Sequence, residues 1–205
     1  MKRFLSLISI SAALLLLSYQ ITLAESGNNA FNQGFEKHKQ GDLKNAIKLY
    51  SKAIEQDPQF TMAYQMRGAA LQQLKKYAQA IDDYSMVITV GEPYFKAVGY
   101  YNRGVVKNIT RNYGEAIGDF SQAIVIDSKM AAAFFHRGIA KSKSGDQNGQ
   151  LEDFRQAARL GDVVAERWLN TYYPAWKVMP APVTPPVANP LNPVPVQGAP
   201  TPASN

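Results

Sequence analysis

Residues 61–90 read TMAYQMRGAALQQLKKYAQAIDDYSMVITV, and residues 97–126 read AVGYYNRGVVKNITRNYGEAIGDFSQAIVI. The two stretches share an Arg-Gly pair, and its glycine belongs to a column formed by Gly34, Gly68, Gly104 and Gly138. The spacings within this column are 34, 36 and 34 residues. A repeat of this period is typical of proteins that stack one small structural unit on the next. We therefore interpret the chain as a repeat array.

Three further columns keep step with the glycines. Twelve positions after the glycine stands alanine in the first three units and glutamine in the last. An aromatic residue stands sixteen positions after each glycine, and a small or branched apolar residue stands twenty positions after it. These columns are Ala46, Ala80, Ala116 and Gln150; Tyr50, Tyr84, Phe120 and Phe154; Ile54, Ile88, Ile124 and Ala158. Glycine opposite alanine lets two helix axes approach closely, so that the aromatic side chain can pack between helices. Each unit is therefore predicted to be a pair of antiparallel helices joined by a short polar turn, and no segment alternates for long enough to indicate a sheet.

This pattern resembles the tetratricopeptide repeat family. The family's unit has small residues near the middle of both helices, an aromatic residue late in the second helix and a proline at the junction to the next unit, and Asp57-Pro58 is a junction of this kind. Four units carry the resemblance, at about 27–60, 61–96, 97–130 and 131–162. The resemblance implies an all-α fold in which four helix pairs form a right-handed superhelical array.

The fourth unit departs from the pattern. Gln147 and Gln150 stand where the other units have apolar residues, and Gly149 falls inside the expected second helix, so we expect this end of the array to be frayed. Residues 163–173 follow as a predicted capping helix that covers the last exposed face. Its apolar side is expected to contain Val164, Trp168, Leu169 and Tyr172.

An arginine precedes three of the four glycines, and an aspartate follows each arginine after sixteen residues. The resulting pairs are Arg67 with Asp83, Arg103 with Asp119, and Arg137 with Asp153. The first unit has Gln33 and Leu49 at these positions, so the two columns change together. We interpret them as ion pairs between the two helices of one unit, and not as a basic stripe for an anionic ligand. Partly buried pairs of this kind specify geometry more than they add stability.

In the family that the chain resembles, ligands usually lie in the concave groove lined by the first helix of each unit. The resemblance assigns to this groove Phe31, Asn32, Phe35, Met62, Gln65, Met66, Tyr101, Asn102, Val105, Phe135, His136 and Ile139. Such a surface suits an extended or helical peptide with apolar anchors, whose backbone is held by side-chain amides. A known subgroup binds a terminal carboxylate through lysine, asparagine and arginine, but Phe31, Phe35 and Met66 stand where those groups would be needed.

Two alternatives remain open for parts of this surface. Phe31 and Phe35 can instead pack against the second unit, in compensation for Ala30, which stands where later units have aromatic residues. The longer junction 92–95 is either a further contact with the ligand or only a consequence of loop geometry.

The two ends of the chain differ from the array in composition. Lys2 and Arg3 precede an apolar run over residues 4–17, and small residues follow up to Ala24, which is the pattern of a secretory signal peptide over 1–24. An uncleaved membrane anchor is the alternative. Ten of the twelve prolines lie in residues 174–205, which are therefore predicted to form a disordered tail that serves as a spacer, a ligand for another protein or an inert terminus. We expect an exported protein, periplasmic or secreted in a bacterial host.

Composition excludes several kinds of site. The chain has no cysteine, which removes disulfides, thiolate metal sites and thiol nucleophiles. His38 and His136 are the only histidines and lie in different units, so neither a metal site nor a cofactor is predicted. No spacing brings a nucleophile to a base or forms a phosphate-binding glycine loop, so no catalytic residue is assigned.

The sequence therefore favours a non-enzymatic scaffold or adaptor that binds a protein or peptide outside the cytoplasm. Export argues against nucleic acid as a partner despite the net charge of +6. The alternatives are a membrane-tethered assembly factor with an uncleaved N-terminal segment and, last, an enzyme.

Overall fold

The computed structural model describes residues 25–178, and these are helical almost throughout. The predicted signal peptide and residues 179–205 of the predicted tail lie outside the described residues. Between residues 25 and 178 there is no strand, so the predicted all-α class is confirmed. The helices are α1 (25–39), α2 (Leu43–Gln56), α3 (Thr61–Gln73), α4 (Tyr77–Val90), α5 (Pro93–Ile109), α6 (Tyr113–Ile126), α7 (Ala131–Lys143), α8 (Gln147–Arg159) and α9 (Val163–Tyr172), followed by a 3-10 helix (Pro174–Val178).

Left-handed residues close the turn within each helix pair and the turn before α9. Three of them are glycines, Gly41, Gly145 and Gly161, with φ of 79°, 97° and 96°. Lys75 and Arg111 take the same role with φ of 59° and 66°, which is an unfavourable conformation for a residue with a Cβ atom. These turns are short enough to keep the two helices of a pair antiparallel and in contact.

The predicted glycine and aromatic columns meet at the centre of each helix pair. A Cβ atom added to Gly104 would lie 2.9 Å from the ring of Phe120, and one added to Gly138 would lie 2.8 Å from the ring of Phe154. Each aromatic side chain is buried against the glycine of its own unit. Phe120 also reaches the next unit, where its ring centroid lies 6.0 Å from that of His136. The close approach of the two helices therefore depends on the missing side chain.

Successive pairs stack into a right-handed superhelical array, as predicted. The first helices of neighbouring pairs touch one another, since α3 contacts α5 and α5 contacts α7. The first helices therefore line the inner side of the curve, and the second helices lie outside.

Two predicted boundaries differ from the structure. The third unit begins at Pro93 rather than at residue 97, because the residues that we took for a long junction form the first turn of α5, with proline at its start. The fourth unit is not frayed, because α8 is a regular helix from Gln147 to Arg159. Gly149 is buried beneath its cap: its N–H donates to Asp146 Oδ1 at 2.8 Å, and a side chain there would collide with the Asp146 carboxylate and with Lys141. Tertiary contact thus outweighs the low helix propensity of glycine.

The predicted capping helix α9 is present, and its buried side contains two of the four residues predicted for it. Ala165 and Leu169 are buried and Trp168 is half-buried, whereas Val164 and Tyr172 are exposed. Asp162 caps this helix by accepting from the N–H groups of Val164 and Ala165, and Ala165 and Leu169 pack into the last core cluster.

The predicted tail begins later than its proline content indicates. Pro174–Val178 forms the 3-10 helix, and Trp176 within it is buried in the last core cluster together with Leu169. The indole Nε1 of Trp176 donates to Asn170 Oδ1 at 2.9 Å. The buried apolar surface of Trp176, together with the hydrogen bond of its indole N–H, holds this segment against the array.

Candidate functional site

An apolar pocket of about 190 Å³ opens on the first-helix side, between α3 and α5. We call it the α3–α5 pocket. Helix α3 contributes three of the predicted groove residues, and the beginning of α5 contributes the remaining wall. The pocket is lined by Met62, Gln65, Met66, Tyr94, Phe95 and Val98.

The local sequence explains why two aromatic residues stand at this point. Gly91 ends α4, and a Cβ atom on it would collide with the carbonyl oxygen of Val87 and lie 2.9 Å from Cβ of Phe95. Glycine therefore lets α5 begin close to the end of α4, which places Tyr94 and Phe95 opposite the methionines of α3. Tyr94 is 69% exposed and Met62 is 44% exposed, so apolar surface remains available to a ligand.

The other predicted groove residues divide into packing and surface positions. Phe31 packs within the first unit against Tyr50 and Phe60, with ring centroids 5.7 and 5.0 Å apart, and against a core cluster that includes Ala63 of the second unit. Phe35 remains exposed, with Lys39 Nζ 5.6 Å from its ring centroid. Asn32 is exposed and Asn102 is half-buried. The remainder are half-buried against the core clusters of the last two units: Tyr101, Val105, Phe135 and Ile139.

His136 lies among aromatic rings on this same surface. Its ring centroid is 5.6 Å from that of Tyr101 and 5.5 Å from that of Phe135. Burial lowers the pKa of His136, and the charge of Asp162 offsets part of this shift. The imidazole is therefore neutral at pH 7 and contributes to the aromatic surface rather than a charge.

His38 has a separate environment in the first unit. Its Nδ1 lies 3.4 Å from the hydroxyl of Tyr50, and its Nε2 lies 2.9 Å from Nε2 of Gln73. Burial lowers the pKa of His38 and raises the pKa of Tyr50 to about 12. Among residues 25–178, no group of three or more histidine or acidic side chains is placed to hold a metal ion.

Each of the three ion pairs expected from the Arg and Asp columns is present and bidentate. Arg103 donates from Nε to Asp119 Oδ2 at 2.9 Å and from Nη2 to Oδ1 at 2.7 Å, and the same distances recur in the other two pairs. Hydrogen bonding to the aspartates raises the pKa of Arg67 and Arg103. These residues hold the two helices of a unit together and are not a free basic stripe.

The sequence reasoning missed the other partners of these arginines and aspartates. Nη1 of each arginine donates to a serine of the preceding unit, at 2.9 Å for Ser51 and Ser85 and 3.1 Å for Ser121. In two units a lysine, Lys107 or Lys141, also binds the aspartate, at 3.0 Å. The signal was available, since a serine follows the aromatic residue in each of the first three units.

Comparison with known proteins identifies the repeat. A family model described as TPR repeat matches residues 34–75. Stress-induced-phosphoprotein 1 of Caenorhabditis elegans is 32% identical over 65 residues, which are 32% of this chain and 20% of that protein. The matched region therefore spans about a fifth of the curated relative's length.

Solved structures share the architecture over a larger part of the chain. A crystal structure of MamA has a TM-score of 0.62 at 22% identity and covers 68% of this chain and 81% of its own. The first TPR of Spaghetti (RPAP3), bound to the HSP90 peptide SRMEEVD, has a TM-score of 0.56 at 21% identity, with coverages of 60% and 95%. A thermophilic TPR protein of Thermus thermophilus, TTC0263, has a TM-score of 0.58 at 16% identity, with coverages of 71% and 81%. Residues 34–75 therefore match the TPR repeat, and these solved structures share the stacked helix-pair fold over the larger part of the chain.

Proposed function

We propose that the protein is a non-enzymatic scaffold that binds an extended segment of a partner protein along its first-helix surface, with an apolar side chain of the partner in the α3–α5 pocket. The pocket itself is the observation that carries this proposal. Methionine side chains adapt to differently shaped apolar groups, and an exposed tyrosine offers a large contact area at little cost in conformational entropy. Gln65 in the wall and Asn102 further along provide amides for the partner's backbone.

The similar array solved with the HSP90 peptide supports peptide binding as a use of this fold. The side chains of the present surface favour a different anchor. Phe31, Phe35 and Met66 are apolar at the positions where a carboxylate-binding subgroup needs polar groups. We therefore propose that the partner is held by an internal apolar residue, and that a free terminal carboxylate is not required.

Peptide selection against the array spanning 25–178 tests this proposal. Random peptides displayed on phage are selected on the wild-type protein, and their dissociation constants are measured for Tyr94→Ala and Met66→Ala. Enriched peptides should share one apolar residue and bind each variant about tenfold or more weakly, as expected for truncation of an interface hot spot. Val125→Ala is the matched control, because Val125 is an exposed apolar residue on the second helix α6. Selected peptides that share no apolar position, or that bind the pocket variants as tightly as the control, would contradict the proposal.

We also propose that the protein is exported, with residues 1–24 removed as a signal peptide. Within residues 25–178, no helix is long and apolar enough to cross a membrane. The mass of the protein recovered from its host discriminates between the two possibilities for the N-terminal segment. A chain beginning at Glu25 supports the exported scaffold, whereas the full mass supports the membrane-tethered assembly factor.

A further inference from the structure

A second pocket, of about 360 Å³, lies between α2, α3 and α4. We call it the α2–α4 pocket. It shares no residue with the α3–α5 pocket, and its walls include both second helices, α2 and α4. Ile47 and Leu71 give it an apolar side, whereas Arg67 and Asp83 form the polar side and Gln79 and Asp82 belong to the same lining. Its volume falls in the range of about 300–1,000 Å³ that is usual for small-ligand sites.

The corresponding places in the next two units are each occupied by a lysine of the chain itself. Lys107 stands three residues after Gly104, and its Nζ lies 3.0 Å from Asp119 Oδ2 and 3.1 Å from Glu115 Oε2. Lys141 stands three residues after Gly138, and its Nζ lies 3.0 Å from Asp153 Oδ2. In both units a lysine ammonium group therefore donates a further hydrogen bond to the aspartate that the arginine already binds.

The second unit has the same aspartate without the lysine. Leu71 stands three residues after Gly68, where the other two units have Lys107 and Lys141. Asp83 is only 4% exposed, and Oδ2 accepts from Arg67 Nε at 2.9 Å while Oδ1 accepts from Nη2 at 2.7 Å. A carboxylate oxygen has capacity for a further donor. Burial raises the pKa of Asp83, which is what an incompletely compensated carboxylate shows.

We propose that the α2–α4 pocket binds the side-chain ammonium of a lysine from a partner protein, which donates to Asp83 as Lys107 and Lys141 donate to their own aspartates. The alkyl stem of such a lysine has Leu71 and Ile47 to lie against, which favours it over an ethanolamine headgroup, whose two carbons end at a phosphate. The lining also contains Lys76, whose charge is offset by that of Asp82, so the lining as a whole is electrically balanced until a ligand enters.

The test uses the full chain, with Nα-acetyl-lysine methylamide as the probe. Amide chemical shifts in NMR spectra are followed as the probe is titrated. The control is the norleucine analogue, which keeps the four side-chain carbons and lacks the ammonium group. We expect saturable shifts around Asp83 with a dissociation constant of order 1 mM, equivalent to about 4 kcal/mol of binding free energy, and no saturation with the norleucine analogue.

Three variants connect the binding to the pocket. Leu71→Lys should abolish it, because the chain then supplies its own ammonium as in the next two units. Gln79 is exposed and corresponds to Glu115, so Gln79→Glu should tighten binding roughly two- to fivefold and Gln79→Lys should weaken it to a similar extent. Should Leu71→Lys lose helical structure, the two substitutions at Gln79 decide the outcome, because neither disturbs a buried position.

The proposal would be overturned by no saturation with the lysine probe, by equal binding of the norleucine analogue, by equal affinities for the two Gln79 variants, or by preferential binding of acetate. Tighter binding of phosphoethanolamine than of the lysine probe would assign the pocket to a lipid headgroup and would equally remove the proposed lysine. The test is independent of the α3–α5 pocket, so its failure would leave the proposed peptide-binding function untouched.

Discussion

The Arg103–Asp119 pair should contribute measurable coupling to the stability of the array. Asp119→Ala removes two hydrogen bonds from Arg103 and one from Lys107. It leaves both cations in partly dehydrated positions, since their side chains are only 21% and 13% exposed. Removal of one partner from a buried pair typically costs about 3–5 kcal/mol, so we expect a loss of about 4 kcal/mol in the free energy of unfolding.

Arg103→Ala should cost less, because Asp119 keeps its bond to Lys107. We expect about 2.5 kcal/mol from the two charge-assisted hydrogen bonds lost. In the double variant neither an unpaired arginine nor an unpaired aspartate remains, and Lys107 keeps Glu115, so the total loss should be about 4.5 kcal/mol. The coupling energy is then about 2 kcal/mol, within the usual range of about 0.5–3 kcal/mol for groups in direct contact.

Urea unfolding followed by far-UV circular dichroism measures all four proteins of this cycle. The dependence of the unfolding free energy on urea must stay constant across the set, because a changed slope would mean that the units no longer unfold together. The Glu36–Lys39 pair on α1 is the control: its side chains are 58% and 57% exposed at an ionic distance of 3.0 Å, and its coupling should be about 0.5 kcal/mol or less. Coupling for Arg103 and Asp119 no larger than that control would refute the pairing as a structural device.

Three further predictions concern single positions. Gly104→Ala should lower the free energy of unfolding by about 1–3 kcal/mol, because the added Cβ meets the ring of Phe120. Gly118→Ala should raise it by about 0.5–1 kcal/mol, because a Cβ there meets nothing within 4 Å. Changes of the same sign in urea unfolding would contradict this pair of predictions. Arg111→Gly should raise the free energy of unfolding by about 0.5–1 kcal/mol, because it relieves a positive φ at the cost of a more flexible unfolded chain, and a lowered melting temperature would disprove it. Burial lowers the pKa of His136, so its contribution to stability is complete above the ordinary value of 6.5 and is lost as the pH falls below it. The free energy of unfolding of His136→Phe should therefore fall less than that of the wild type between about pH 7 and about pH 5. Parallel pH profiles of the two proteins would refute a lowered pKa for His136.

The helix pairs could be predicted from the sequence because their packing is recorded as fixed spacings. Glycine meets the aromatic residue sixteen positions later, and arginine meets aspartate at the same interval, so each contact appears as a column. The turns within the pairs were equally visible, even where Lys75 and Arg111 replace glycine. What repeats along the chain therefore shows in the sequence before any coordinates are known.

The parts that do not repeat were harder to predict, and each for a local reason. Trp176 belongs to no unit, and its burial depends on where α9 ends and how the next five residues fold back. The apolar residues of α9 occupy more than one side, so the sequence alone does not show which side packs against Phe154 and Ala157. The low helix propensity of Gly149 predicted a break in the second helix of the last unit. The close approach of Lys141 and Asp146 explains why glycine stands there within a regular helix. Among the pocket residues, Tyr94 and Phe95 lie in the junction 92–95, for which a ligand contact was one of two alternatives; their place in the wall depends on the turn at Gly91, which the column pattern does not contain.

Helix α3 connects the two pockets, and its rigidity has a consequence for their use. Met62 and Met66 line the α3–α5 pocket, whereas Arg67 and Leu71 line the α2–α4 pocket, so the two sites lie on different sides of one helix. Between them Gly68 lies against the buried ring of Tyr84, where an added Cβ would be 3.0 Å from the ring. Allosteric coupling requires an element with two arrangements that both ligands bias, and a helix held by such contacts has one. We therefore expect the affinity of a peptide for the first-helix surface to change by less than about twofold when the lysine probe saturates the other pocket. A larger change in peptide affinity, measured by isothermal titration, would mean that α3 shifts between two positions. Its contacts with α2 and α4 would then permit a movement that the close packing at Gly68 is expected to prevent.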